Sequence, residues 1–256
     1  MARYFIEVAY KGSAYAGFQV QQNANTIQAE VEKALSTYFR TTFELTGSSR
    51  TDAGVHAAQN FFHTDIDLIL SDPAAAKAAY HLNAILPDDI VISEIHRVAD
   101  TAHARFDALS RSYEYILYSH KDPFLDDRAY YYPYALDLNI LNEAAAMCMA
   151  CTNFKSFSKK NTQVLTHECM LTESRWYYEG KLLKFSVTGN RFLRGMVRGL
   201  VGTMLHAGRG KYSVEEFKNI LERKDASLTD FSVPAKGLFL RGVNYPPYIF
   251  INLAGN

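Results

Sequence analysis

The sequence predicts an α+β fold made of two similar halves, residues 1–110 and 111–256, with antiparallel or mixed sheets meeting across a central cleft. Three observations carry that expectation. Runs that alternate with period two, such as Arg3–Tyr10 and Tyr113–Tyr118, are interleaved with stretches of helical spacing, such as Ile27–Tyr38. The order of elements in each half is similar: strand, helix, strand pair, further helices. The 256 residues allow one large domain or two halves, and 48% apolar with 21% charged residues is ordinary for a globular chain.

Taken in order, Arg3–Tyr10 reads as a strand turned by Lys11-Gly12-Ser13, and Tyr15–Gln21 as a polar, aromatic loop. Thr26 caps a helix whose Ile27, Val31, Ala34, Leu35 and Tyr38 recur at helical spacing. Phe43–Leu45 and Gln59–His63 read as strands on either side of a loop. Pro73, at the first helical position, opens a helix from Asp72 to about Leu86. Ile90–Val98 and Tyr113–Tyr118 read as strands, and Asp137–Cys151 as a helix. Leu165–Tyr178 and Leu182–Thr188 form a predicted hairpin around Glu179-Gly180. A helix over Arg191–His206, a short one over Val214–Glu222 and a closing strand over Leu238–Val243 complete the chain.

Formal net charge is zero, which argues against strong non-specific binding to nucleic acid. A local basic surface exists all the same: from Lys181 to Lys211 there are seven Lys or Arg and no Asp or Glu. Within it Arg191, Arg194 and Arg198 recur at helical spacing, which predicts one cationic face opposite Phe192, Met196, Leu200 and Leu205. A solvated face usually mixes signs; a single-signed one repels itself unless an anion is near, and RNA phosphate is such an anion. The 17 Tyr and 16 Phe fit a β-rich core and also supply surfaces on which bases stack. Cys148, Cys151 and Cys169, with His167, could make a four-ligand set on paper, but buried reduced thiols are the expectation. MARYFIEVAY has no apolar core of leader length and no run is long enough to span a bilayer, so a cytoplasmic protein without membrane contact is expected.

The densest polar stretch is Thr46–Thr64, TGSSRTDAGVHAAQNFFHT, centred on Arg50-Thr51-Asp52. Its glycines allow a steep turn and close approach of a ligand. An Asp in such a loop ordinarily bonds the backbone of its own turn. His56 stands four residues beyond Asp52, but Gly54 between them opposes a helix and no third ligand is at hand, so no metal site is expected.

Ser49-Arg50-Thr51-Asp52-Ala53-Gly54-Val55-His56-Ala57 resembles the signature loop of the TruA family of tRNA pseudouridine synthases. The resemblance extends to Tyr15–Gln21, where Phe18 replaces a more usual Trp, and to Ala102–Ala108 with Ser110–Tyr118. It includes Arg191–Arg198 and Gly237-Leu238-Phe239-Leu240, preceded by Val233-Pro234 in place of the more usual Ala-Pro. It implies a pseudouridine synthase-like fold of two α+β domains around a central sheet, a homodimer, tRNA as partner and uridines of the anticodon stem-loop as targets. It also implies roles. Asp52 is the expected nucleophile, Arg198 its ion-pair partner, and Tyr113 the ring against the uracil with a possible part in proton transfer. Leu240 is expected to wall the uracil pocket; Arg50 is expected to fill the space a flipped base leaves; His56, Arg105, Arg191 and Arg194 are expected to bind substrate.

The chemistry matches those residue types. Isomerisation breaks the bond from uracil N1 to the ribose, turns the base and rejoins it through C5. That needs a carboxylate to attack at C1′ or at the base, a cation to keep it ionised, and a flat apolar pocket. No cofactor is expected, and the sequence has no dinucleotide loop or Walker loop. Two other readings stand beside it. A glycosidase would need a second carboxylate, for which Asp65, Asp67 and Asp107 offer only their presence. A non-catalytic RNA-binding protein would use the basic surface alone.

Overall fold

The computed structural model describes residues 1–159 and 164–251. The fold is α+β, and the chain forms two compact units, Met1–Leu109 with Leu240–Asn256, and Ser110–Phe239.

In the first unit β1 (Ala2–Tyr10) is the middle strand. It pairs antiparallel with β3 (His56–Ile66) on one side and with β4 (Ile90–Arg97) on the other. Tyr4, Phe5, Ile6 and Val8 are all fully buried, each apolar side chain contributing roughly 1.5–3 kcal/mol of transfer free energy. Helix α1 (Ile27–Phe39) starts where the Thr26 hydroxyl accepts the Ala29 amide and stops at Arg40 in the left-handed region. It buries Ile27, Val31, Ala34 and Leu35, the stripe its spacing predicts. Helix α2 (Asp72–Asn83) packs on β4, and the Asn83 amide clamps both backbone groups of Ile92.

The segment expected as the strand Phe43–Leu45 is not one. Leu45 gives its amide to Glu32 and its carbonyl to Gln28, both on α1, so its backbone has no groups left for a ladder. Pairing starts at the next residue, in β2 (Thr46–Gly47) against β3. The C-terminal stretch also departs from the division at 110/111. The Ala99 amide bonds Ile249, the Ile251 amide bonds Arg97, and the Tyr245 ring lies against Phe5 and Phe61 at 5.0 and 5.2 Å, which ties residues 240–251 to the first unit.

In the second unit β5 (Ser110–Tyr118) pairs antiparallel with β8 (Leu182–Gly189), and β8 with β7 (Leu171–Glu179). A short β6 (Tyr130–Tyr131) lies parallel to the end of β5. Helix α3 (Leu138–Ala150), capped by Asp137, packs on β7 and beside α4 (Met196–Gly208). Helix α5 (Val214–Glu222) opens with a complete Ser213/Glu216 capping box. The expected strand from Leu165 begins only at Leu171, because residues 167–170 spend their backbone groups on Thr152, Phe154 and Asn190. Cys148 and Cys169 are buried, and burial pushes the Cys169 thiol up to about 11. Strand β9 (Leu238–Asn244) leaves this unit and enters the first.

Candidate active site

The loop between β2 and β3 is held from beneath by a buried polar network. Asn60, fully buried on β3, accepts the Ser48 hydroxyl at 2.7 Å and donates to the Ser49 carbonyl at 3.0 Å. It also donates to the Tyr10 phenol at 3.2 Å, which lies 2.8 Å from the Thr51 hydroxyl. The Thr51 carbonyl accepts the Phe18 amide at 3.1 Å, and Phe18 stacks on Phe62 at 4.5 Å and 9°. Asp52, the next residue, is half-buried and opens a tight turn, with the Val55 amide donating to its carbonyl and Gly54 at φ +78°. Among the described residues of its own unit the Asp52 carboxylate takes no hydrogen bond, so it is not consumed in capping its turn.

Two glycines let neighbouring chain lie against this loop. A Cβ on Gly12 would sit 2.0 Å from the Val55 carbonyl oxygen. Gly17 has φ +119°, and a Cβ there would meet the Thr51 carbonyl oxygen at 3.2 Å. Tyr10, Gly12, Asn60 and Thr51 were not among the expected site residues. The signal for Asn60 is legible afterwards: a lone amide in a strand of aromatic residues must find buried partners.

The other expected residues of the first unit separate by burial. Arg50 is exposed on the loop. His56, expected to bind substrate, is 1% exposed; its Nδ1 accepts the Gly12 amide at 3.2 Å, which places it in the scaffold under the loop. Leu240 is fully buried on β9. Arg105 is exposed, with its guanidinium 5.7 Å from the centre of the Phe106 ring.

Tyr113 and the arginines belong to the second unit. Tyr113 is 9% exposed on β5, opposite Val187, and the Phe192 ring meets it edge-on at 5.0 Å. The expected helix over Arg191–His206 starts at Met196 instead. Gly195 takes φ +75° and ends the irregular stretch before it, so Arg191 and Arg194 precede the helix and do not share a helical face with Arg198. Arg191 is half-buried and Arg194 exposed, while Lys159 packs its side chain over Gly195.

Arg198 is one of two residues of α4 that are not buried, and His206 is the other. Both reach the segment before β9. Arg198 donates from Nε to the Val233 carbonyl at 2.8 Å and from Nη2 to Phe231 at 3.4 Å. His206 faces Asp230 at 3.0 Å. Burial alone would raise the Asp230 carboxyl, but bonds from Ser232 and the facing His206 hold it below the ordinary carboxylate range. The Thr203 hydroxyl takes the Asp230 amide, and Gly199 and Gly202 leave room for Thr229, Asp230 and Phe231 to lie on the helix. Further on, the Tyr115 phenol donates to the Pro234 carbonyl at 2.7 Å, and burial pushes that phenol far above its usual range. The run Thr229–Gly237 is thus strapped between α4 and β5, and it delivers Leu238 and Leu240 to β9.

Comparison with known proteins shows the family of the chain. Residues 6–107 and 151–246 match the family model described as tRNA pseudouridine synthase. The protein named tRNA pseudouridine synthase A of Porphyromonas gingivalis is 45% identical over 98% of this chain and its own whole length. Those of Parabacteroides distasonis and Staphylococcus carnosus are 41% and 36% identical, each over 98% of this chain and 98% and 93% of their own. With a family model spanning both units and relatives aligned nearly end to end, the chain belongs to the tRNA pseudouridine synthase family.

Proposed function

We propose that this chain isomerises uridine to pseudouridine in tRNA, with Asp52 as the nucleophile and uridines of the anticodon stem-loop as targets. The observation that carries the reading is the Asp52 loop itself: a half-buried carboxylate one residue from Thr51, whose hydroxyl and carbonyl are both tied to buried groups. Such pre-organisation is what attack at one fixed atom requires.

In this account Asp52 attacks the target nucleotide and the bond from N1 to the ribose breaks. The uracil turns in place, C5 joins C1′, the bond to Asp52 breaks to restore the free carboxylate, and the C5 proton leaves while N1 ends protonated, so the product keeps the mass of the substrate. Arg198 supplies the cation that favours the ionised carboxylate. Tyr113 and Leu240 are assigned the task of retaining the detached base. Arg50, exposed on the loop, fills the gap left in the RNA stack, whose opening costs a few kcal/mol. Arg191 and Arg194 bind phosphate. The reading includes a homodimer in the cytoplasm; among the described residues no helix is long and apolar enough to cross a membrane.

The test is nucleoside analysis of tRNA transcripts after incubation with the protein. Pseudouridine at unchanged RNA mass is expected. Release of free uracil would instead establish a hydrolase, and unaltered tRNA that stays bound would establish a binding protein.

A further inference from the structure

The basic run Lys181–Lys211 does not form one surface. Lys184 is buried and neutralised by Glu179 at 2.8 Å and Glu114 at 3.5 Å. The other six cations divide by the path of the chain. Strand β8 runs from the Tyr118 end of β5 to its Arg111 end, and α4 then carries the chain back. Arg191, Arg194 and Arg198 fall at the end where Phe192 meets Tyr113. Lys181, Arg209 and Lys211 fall towards the opposite end, where Gly208 adjoins Leu136. From Tyr113 to Tyr118 along β5 is about 17 Å, and from Arg198 to Arg209 along α4 about 16 Å.

At that opposite end lies an open groove of about 410 Å³. Tyr118, Tyr132, Tyr134 and Tyr178 line it, with Lys181 at its edge. Tyr134 and Tyr178 are 51% and 58% exposed, and the Arg209 guanidinium lies 3.6 Å from the centre of the Tyr134 ring. The carboxylates nearest to it have partners of their own: Glu179 shares Lys184 with Glu114, Asp126 faces Lys236, Asp230 faces His206, and Asp122 and Asp137 take backbone amides of Phe124 and of the start of α3. Exposed aromatic faces beside uncompensated cations are the composition that binds single-stranded nucleic acid, the rings taking bases and the cations phosphate.

We propose that this groove is a second RNA contact, which takes a nucleotide of the tRNA other than the target uridine, its base on Tyr178 and its phosphate against Lys181 and Arg209. The proposal rests on tRNA being the substrate. It explains why an acid-free stretch spans both ends of β8 and α4: each end meets a different part of one polyanion.

The test uses the full chain and two readouts, tRNA affinity by fluorescence anisotropy and steady-state turnover. Tyr178→Ala and Lys181→Ala, both at exposed positions, are expected to raise KM and the dissociation constant for tRNA about tenfold each, with kcat unchanged. Lys181→Ala also reduces the salt slope of binding by about one. Tyr178→Trp restores the loss, because stacking needs a ring and not a phenol. Unchanged affinity in both variants, or a loss that Trp does not restore, overturns the proposal. So does a KM change that tracks protein concentration with a shift in sedimentation, which would assign the groove to a second copy of the chain. If the wild type modifies no tRNA, the functional reading fails, while anisotropy still decides the groove.

Discussion

The Tyr10 phenol and the Thr51 hydroxyl lie 2.8 Å apart in the core of the first unit, one residue from Asp52. The same phenol takes a hydrogen bond from Asn60, so one side chain on β1 links the loop to β3.

Tyr10→Phe removes that link and leaves the Thr51 hydroxyl and an Asn60 N–H without it. The expected cost is about 1–3 kcal/mol of stability, read from denaturant midpoints. Turnover should fall about 10- to 100-fold, with KM for tRNA nearly unchanged, because the loop is misplaced and the RNA surface is not. A rise in KM at constant kcat would contradict this role.

Gly12→Ala introduces a Cβ that would stand 2.0 Å from the Val55 carbonyl oxygen, a backbone atom that cannot swing aside. Destabilisation of about 1–3 kcal/mol is expected, together with loss of turnover. A variant of native stability and rate would show that the Gly12 segment and the loop are not in register as described.

Arg198→Lys keeps the charge and loses the planar donor set that holds the Val233 and Phe231 carbonyls. A loss of about 1–3 kcal/mol in stability is expected from the unpaired carbonyls, along with reduced kcat. If the lysine variant matched the wild type in both, Arg198 would act only as a point charge.

His63 sets a pH dependence. It is 8% exposed, and its Nδ1 accepts the Ala104 amide at 3.1 Å. Burial first, then nearby His103 and Arg3, lower its pKa to about 4, against the smaller opposing pull of Asp65 and Asp107. A folded-state value below the unfolded 6.5 means that the unfolded chain binds the extra proton between them. The His63 contribution is therefore complete above pH 6.5 and is lost as pH falls towards about 4. Denaturant midpoints should decline across that window, and His63→Gln, which keeps an acceptor, should flatten the decline. An identical slope in the variant would exclude His63 as its source.

Much of this was legible in the sequence because it rests on local rules. The Thr26 cap, the Ile27/Val31/Leu35 stripe and the alternation of Tyr113–Tyr118 each fix an element within a few residues. The motif Ser49–Ala57 located the Asp52 loop. What was missed depends on partners distant in sequence or on a single backbone conformation. Leu45 gives up its ladder because Glu32 and Gln28 reach it from α1. The spacing of Arg191, Arg194 and Arg198 imitates a helix, yet Gly195 in the left-handed region delays the helix to Met196. His56 lies in the motif and looks available, but the Gly12 amide holds it inside. Tyr10 and Asn60 support the loop from strands whose register no local pattern reveals.

The most direct measurement of the role of Asp52 is tritium release from tRNA transcribed with uridine labelled at C5, comparing the wild type with Asp52→Asn. Release by the wild type and none by the variant, with tRNA bound equally well by both, is the predicted result. Release by both would place the nucleophile elsewhere and contradict the central claim.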